Sequence, residues 1–170
     1  MNAFSLLRLF VCLAALVAPA TVLAQSPLLS CTGTAVRTYN PGLTLVTRPT
    51  DILSVGSIEC LPGAPVSSGS YSFFATGLPS SCLLDEPVGT GSLKIDWNTG
   101  ESSVISFTRI LTRTGGQTVL VFVGSIASGP FAGNLATEVV VDPALDVVSC
   151  LLGPGITEVR GVTTFAITQF

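Results

Sequence analysis

The sequence has no histidine, a single lysine, and charged side chains at only 10% of its positions. Each scarcity removes a class of chemistry. Serine and cysteine triads need an imidazole to move the proton, and none is available. The sole lysine, Lys94, has Gly91 three residues before it, so an S-x-x-K dyad is excluded, and G-x-S-x-G does not occur. There is no phosphate-binding glycine loop of the Walker type. A zinc site without histidine needs carboxylates or four thiolates. The basic residues Arg37, Arg48, Lys94, Arg109, Arg113 and Arg160 are scattered and never form a run. Nucleic-acid binding by counterion release needs clustered cations, so no nucleic-acid partner is expected. No metal or cofactor is expected either.

Long apolar runs are also missing. The chain opens with one basic residue, Arg8, then the short apolar stretch Leu9 to Val17, Pro19, and Val22-Leu23-Ala24. A bilayer span takes roughly 20 apolar residues, so the pattern reads as an export signal over 1–24, cleaved after Ala24. Cys12 lies inside the apolar run, not at the cleavage point, which argues against a lipid anchor. The expected product is one released extracellular or periplasmic domain, 25–170, with no membrane attachment after cleavage. The terminal Phe170 is a feature of outer-membrane barrels, but Thr164, Ala166 and Thr168 stand where a lipid-facing ladder belongs.

Removal of the leader leaves Cys31, Cys60, Cys82 and Cys150, spaced by 29, 22 and 68 residues. Four cysteines in an exported chain indicate two disulfides, with three connectivities open. If the strand from Cys31 turns at Pro41-Gly42 and the following stretch returns beside it, Cys60 comes back level with Cys31. That predicts Cys31–Cys60 and, by elimination, Cys82–Cys150. Each bridge is expected to stabilise the fold by roughly 3–4.5 kcal/mol through the entropy of the unfolded chain.

No segment carries a helical stripe. Short runs rich in Val, Ile, Thr and Phe alternate with Gly, Pro, Asn and Ser, the pattern of strands and turns. Leu93, Ile95 and Trp97 alternate with Ser92, Lys94 and Asp96, and Asn98-Thr99-Gly100 supplies a tight turn. In the return strand, about Ser102 to Thr112, Arg109 shares a face with Ile105, Phe107 and Leu111, and a bulge near Thr108 would reconcile the phase. Val119 to Val123 is apolar on both faces, as in a strand covered from both sides or packed against loops. Cys31 to Tyr39 reads as a strand ended by a turn at Asn40-Pro41-Gly42. Tyr71, Phe73 and Ala75 alternate in another strand, and Val159 to Ile167 forms the last. The expected fold is all-β, an antiparallel sandwich or barrel of about nine strands, mostly hairpin-connected.

Paired carboxylates are the one remaining catalytic route. Asp85 and Glu86 adjoin in a loop, and Asp96 and Glu101 flank a turn. Ten acids scattered over a chain are what a solvated surface supplies, and no hydrolase activity is expected. A hairpin turn explains Asp96 to Glu101 better than a calcium loop, because the glycine falls at the wrong position. Cys82, Trp97 and Cys150 are spaced loosely like the immunoglobulin signature, but Val148 occupies the place of its corner tyrosine. A Cys82–Cys150 bridge would gather Leu83, Leu84, Leu151 and Leu152. The favoured expectation for these four is a satellite core, and the alternative is an exposed contact patch.

The stretches Cys31-Thr32-Gly33-Thr34, Tyr39-Asn40-Pro41-Gly42-Leu43-Thr44, Trp97-Asn98-Thr99-Gly100 and Ser128-Gly129-Pro130-Phe131-Ala132-Gly133 resemble those of small secreted bacterial proteins, of actinobacterial type, that have four cysteines and no known function. The resemblance spans most of 25–170 and implies secretion and a β fold, without implying an activity. The leading functional reading is a non-catalytic extracellular binding or structural domain, whose partner would be a protein, a glycan or a small apolar ligand. A barrel with an apolar cavity for a small molecule is the second reading, and a carboxylate-dependent hydrolase the third. A wide internal void would favour the carrier, and an open groove with convergent carboxylates the enzyme.

Overall fold

The alternation read from the sequence builds a wall that closes on itself. The computed structural model describes residues 27–83, 88–114 and 116–170; the export signal expected over 1–24 lies outside them. The strands are β1 (Leu29–Leu43), β2 (Arg48–Cys60), β3 (Ser68–Ser80), β4 (Val88–Trp97), β5 (Ser102–Thr114), β6 (Gln117–Ser128), β7 (Leu135–Asp142) and β8 (Ile156–Thr168), with one short helix, α1 (Val147–Leu151), between β7 and β8. Each strand pairs antiparallel with the next, and β1 pairs with β8, giving a closed up-and-down barrel. Eight strands stand where turn counting suggested about nine, and the choice between sandwich and barrel falls to the barrel. In such a barrel alternate residues point inward, as Leu93, Ile95 and Trp97 do on β4.

Three local expectations are corrected. Asn40-Pro41-Gly42 is not the first hairpin turn. β1 runs through it to Leu43, with a cis Asn40–Pro41 peptide and a register shift between Thr38 and Leu43. The chain reverses at 44–47 instead, and it is this later reversal that sets Cys60 opposite Cys31. On β5 the irregularity lies between Val104 and Ile105, not near Thr108, so Arg109 keeps the inward phase. The double-faced apolar run on β6 is not covered outside: Leu120 and Phe122 point inward, while Val123 is exposed. β-branched residues suit a pleated surface even when half solvated, and packing on both faces is not required for this run.

The disulfides join Cys31 to Cys60 and Cys82 to Cys150, the pairing that the hairpin reading implies. They sit at opposite ends of the barrel. At the closed end Leu29, Cys31, Ile58, Ile95, Trp97, Ile126, Phe165 and Ile167 form the main core. Phe131 adopts a left-handed backbone (φ 65°), unusual for a bulky residue, and its ring packs edge-on against Trp97 at 6.0 Å.

At the other end a smaller cluster joins Cys82 and Cys150 to Leu43, Ile156 and Val159. Cys82 is tied down there, its N–H donating to the Thr44 carbonyl (2.8 Å) and its carbonyl accepting from Arg113 (2.5 Å). A satellite core therefore exists, but not the expected one. Leu83, Leu151 and Leu152 are 70%, 62% and 65% exposed, and Leu84 lies outside the described residues. The bridge buries its own sulfurs and turns the flanking leucines outward, since α1 is a single turn with one buried residue, Cys150. Leu83→Ala and Leu151→Ala should accordingly shift stability by no more than about 0.5 kcal/mol in thermal melts, against the 2–5 kcal/mol of a buried leucine.

The wall is not uniform. β3 and β4 pair only through Gly69–Ser72 and Lys94–Trp97, whereas β4 and β5 pair from Val88 to Asp96. Toward the end that carries Cys82, the later part of β3 and the earlier part of β4 face each other without a described ladder.

Candidate ligand-binding cavity

The two halves of the barrel are filled differently. Large side chains pack the closed half, where the residual void under Leu93, Phe107 and Glu138 is about 10 Å³. Above them the interior holds a cavity of about 440 Å³, within the range of small-molecule sites. Its apolar wall comes from inward positions of successive strands, among them Ile52, Phe73, Leu93, Phe107, Leu120 and Phe122. The alternating Tyr71, Phe73 and Ala75 of β3 all line it. Phe107 stands edge-on to both Phe73 and Phe122, with ring centroids 5.8 and 5.2 Å apart.

Among the described residues, four acidic or basic side chains enter this apolar space: Arg37 from β1, Arg109 from β5, and Glu138 and Asp142 from β7. Tyr71 crosses from β3 to the opposite wall and donates its hydroxyl proton to Glu138 Oε1. Thr163 Oγ1 donates to the same oxygen at 2.9 Å. Gly56 makes the crossing geometrically feasible, because a Cβ there would fall inside the phenol ring. Glu138 is only 4% exposed. Burial pushes its carboxyl above the usual carboxylate range, against the hydrogen bonds from Tyr71 and Thr163 and the charge of Arg37. Burial likewise drives the Tyr71 hydroxyl far above the ordinary phenol value, helped by the neighbouring Glu138 charge.

Arg37 and Asp142 form a buried ion pair. Gly161 on β8 leaves room for it, since a Cβ there would collide with Asp142 Oδ1. Arg37 Nε and Asp142 Oδ1 have no hydrogen-bond partner among the described residues. Such a pair carries a desolvation cost that incomplete hydrogen bonding does not offset. On the far wall the Arg109 guanidinium lies over Gly89, where an added Cβ would come within 3.2 Å of Nη2.

None of these four charged residues was a candidate in the sequence, although each stands in the inward phase. Glu138 shares the face of Ala136 and Val140, and Arg109 that of Phe107 and Leu111. The signal was a charge out of place in an apolar alternation. The carboxylates that were candidates lie elsewhere. Asp96 and Glu101 flank the exposed β4–β5 turn at the closed end. Lys94 Nζ and Ser102 Oγ, each at 2.6 Å, hold the Asp96 carboxyl below its usual range. Asp85 and Glu86 lie outside the described residues. Among the described residues no group of three or more His, Cys, Asp or Glu side chains could hold a metal ion, and no helix is long and apolar enough to cross a membrane. No protein-family model, curated protein or solved structure matches the chain.

Proposed function

We propose that the protein is a non-catalytic extracellular carrier or receptor that holds one small, largely apolar molecule inside its barrel. The observation that carries this reading is the cavity of about 440 Å³ in a barrel whose other half is tightly filled. Eight strands enclose an interior that side chains can just fill or that can hold a single small ligand. Here both outcomes occur in one barrel, divided at the Tyr71–Glu138 crossing. The two disulfides and the expected leader support an extracellular setting. The surface carboxylates Asp96 and Glu101 stand apart from the cavity, and the two carboxylates that line it are already engaged, Glu138 by Tyr71 and Thr163 and Asp142 by Arg37, which supports a non-catalytic role.

The test uses the neutral fluorescent probe N-phenyl-1-naphthylamine, which brightens on leaving water. The mature protein should saturate with one probe per chain. Ala75→Trp, which places an indole in the cavity from a half-buried position, should weaken binding at least about tenfold while the melting temperature stays within a few degrees. Equal probe binding by both proteins would show that the probe sits elsewhere and would remove the carrier reading.

A further inference from the structure

We propose that the ligand is an uncharged, largely apolar alcohol, its hydroxyl on Glu138 Oε2 at the floor of the cavity and its hydrocarbon body directed toward the end that carries Cys82. The inference rests on the carrier reading above and adds the chemistry and orientation of the head group.

Glu138 marks the floor. With Leu93, Phe107 and Phe122 it borders both the large cavity and the small void beneath it. The chain then climbs past Val140 and Asp142 to Leu145, which lines the cavity and packs against the cluster around Cys82. Both hydrogen bonds to Glu138 fall on Oε1, one from Tyr71 and one from Thr163. Oε2 receives none from any described residue, although the side chain is buried. A buried carboxyl oxygen without a partner costs free energy, and a ligand group reaching the floor removes that cost.

What Oε2 requires of its partner depends on the proton. A neutral Glu138 carries the proton on Oε2, because Oε1 already accepts twice, and donates it to the ligand. An ionised Glu138 accepts from the ligand instead. A hydroxyl serves both states. An ether or ester oxygen serves only the first, and an ammonium only the second.

The described charges leave nothing to balance an ionic head. Arg37 is paired with Asp142, and Arg109 is engaged as well. An anionic head would meet no uncommitted cation and would stand beside the Glu138 carboxyl. A cationic head would need Glu138 ionised, which burial opposes, and would meet the Arg37 charge that already acts on that carboxyl. An uncharged head avoids the desolvation of an ion. Asp85 and Glu86 lie outside the described residues and enter no part of this count, so the experiment tests both signs of charge.

Dissociation constants come from displacement of N-phenyl-1-naphthylamine from the mature protein at neutral pH by 1-decanol, decanoate, decylamine and the hydrocarbon naphthalene. Decanol should bind at least about tenfold tighter than either ion. Any apolar cavity disfavours ions, so a double variant carries the assignment to Glu138. Tyr71→Phe with Glu138→Leu replaces the crossing by apolar side chains of similar volume and leaves neither partner orphaned. It should weaken decanol at least about tenfold and leave naphthalene within about threefold. If the variant does not fold, infrared difference spectra of the wild type decide: decanol should shift a carboxyl band and naphthalene should not. Decanoate or decylamine binding as tightly as decanol would overturn the inference and leave the carrier reading standing. So would equal effects of the double variant on decanol and naphthalene, or a carboxyl band that decanol leaves in place. Failure of the probe and of all four competitors to bind would remove the carrier reading and the head-group inference with it.

Discussion

Trp97→Ala should lower the unfolding free energy by about 5 kcal/mol, the upper part of the range for deleting a buried aromatic side chain. Trp97 ends β4 at the closed end and is buried. Its indole N–H donates to Ser103 Oγ at 2.8 Å, and that hydroxyl donates to the Pro130 carbonyl at 2.7 Å. Its ring meets Phe131 and Phe165, with centroids 6.0 and 6.3 Å away. Removal would open a cavity, break a buried polar chain and leave the left-handed Phe131 without the ring it packs against. Trp97→Phe separates the contributions. It keeps an aromatic ring but cannot donate to Ser103, and should cost about 1–3 kcal/mol. Urea unfolding with both disulfides intact reads these differences. A Trp97→Ala protein within about 1 kcal/mol of wild type would show that the closed end repacks freely and is not the stable half of the barrel.

The buried ion pair should behave unlike the core. Arg37→Met or Asp142→Leu alone should destabilise by about 3–5 kcal/mol, because each leaves the opposite charge buried without its partner. The double variant should return to within about 1 kcal/mol of wild type, since two apolar side chains of similar volume remove both desolvation costs. The orphaned Arg37 Nε and Asp142 Oδ1 sharpen that expectation, because the native pair is only partly satisfied. Additive losses in the double variant would mean that the two side chains are stabilised independently. Recovery of stability together with loss of N-phenyl-1-naphthylamine binding would assign the pair a role in the ligand site.

The wall of the barrel was legible in the sequence because period-two alternation is a local property. Leu93, Ile95 and Trp97 declared one face, and Tyr71, Phe73 and Ala75 another. The disulfide pairing was legible only in outline: pairing the first two strands as a hairpin is what joins Cys31 to Cys60, but the register that sets them opposite comes from the reversal at 44–47, and a tight turn at 40–42 would leave them several residues out of step. Closure was not legible, because β1 meets β8 across almost the whole chain and no local pattern specifies that pairing. The cavity charges were hidden by a reasonable rule. Arg109 in the inward phase looked like an error of register, so a bulge was expected to move it outward. A charge in the inward phase departs from the rules for packing a core, and here that departure was the signal of the cavity. The leucines beside Cys82 and Cys150 misled in the opposite direction. Apolar composition favours burial, but a single-turn helix held by a disulfide offers them nothing to pack under.

The short pairing between β3 and β4 also bears on how a molecule reaches the interior. Parting two barrel strands ordinarily means breaking a row of backbone hydrogen bonds, which ties the opening rate to the stability of the fold. Beyond Gly69–Ser72 and Lys94–Trp97 no such row is described between these strands. Phe73, Ala75 and Leu78 on one side of the seam and Gly89 and Thr90 on the other already border the cavity. In the carrier reading, an opening at this seam would break no described backbone hydrogen bond between the two strands. If the barrel is a carrier, residence time would then be set at the seam, by the residues that rim it, while the closed end keeps the barrel intact.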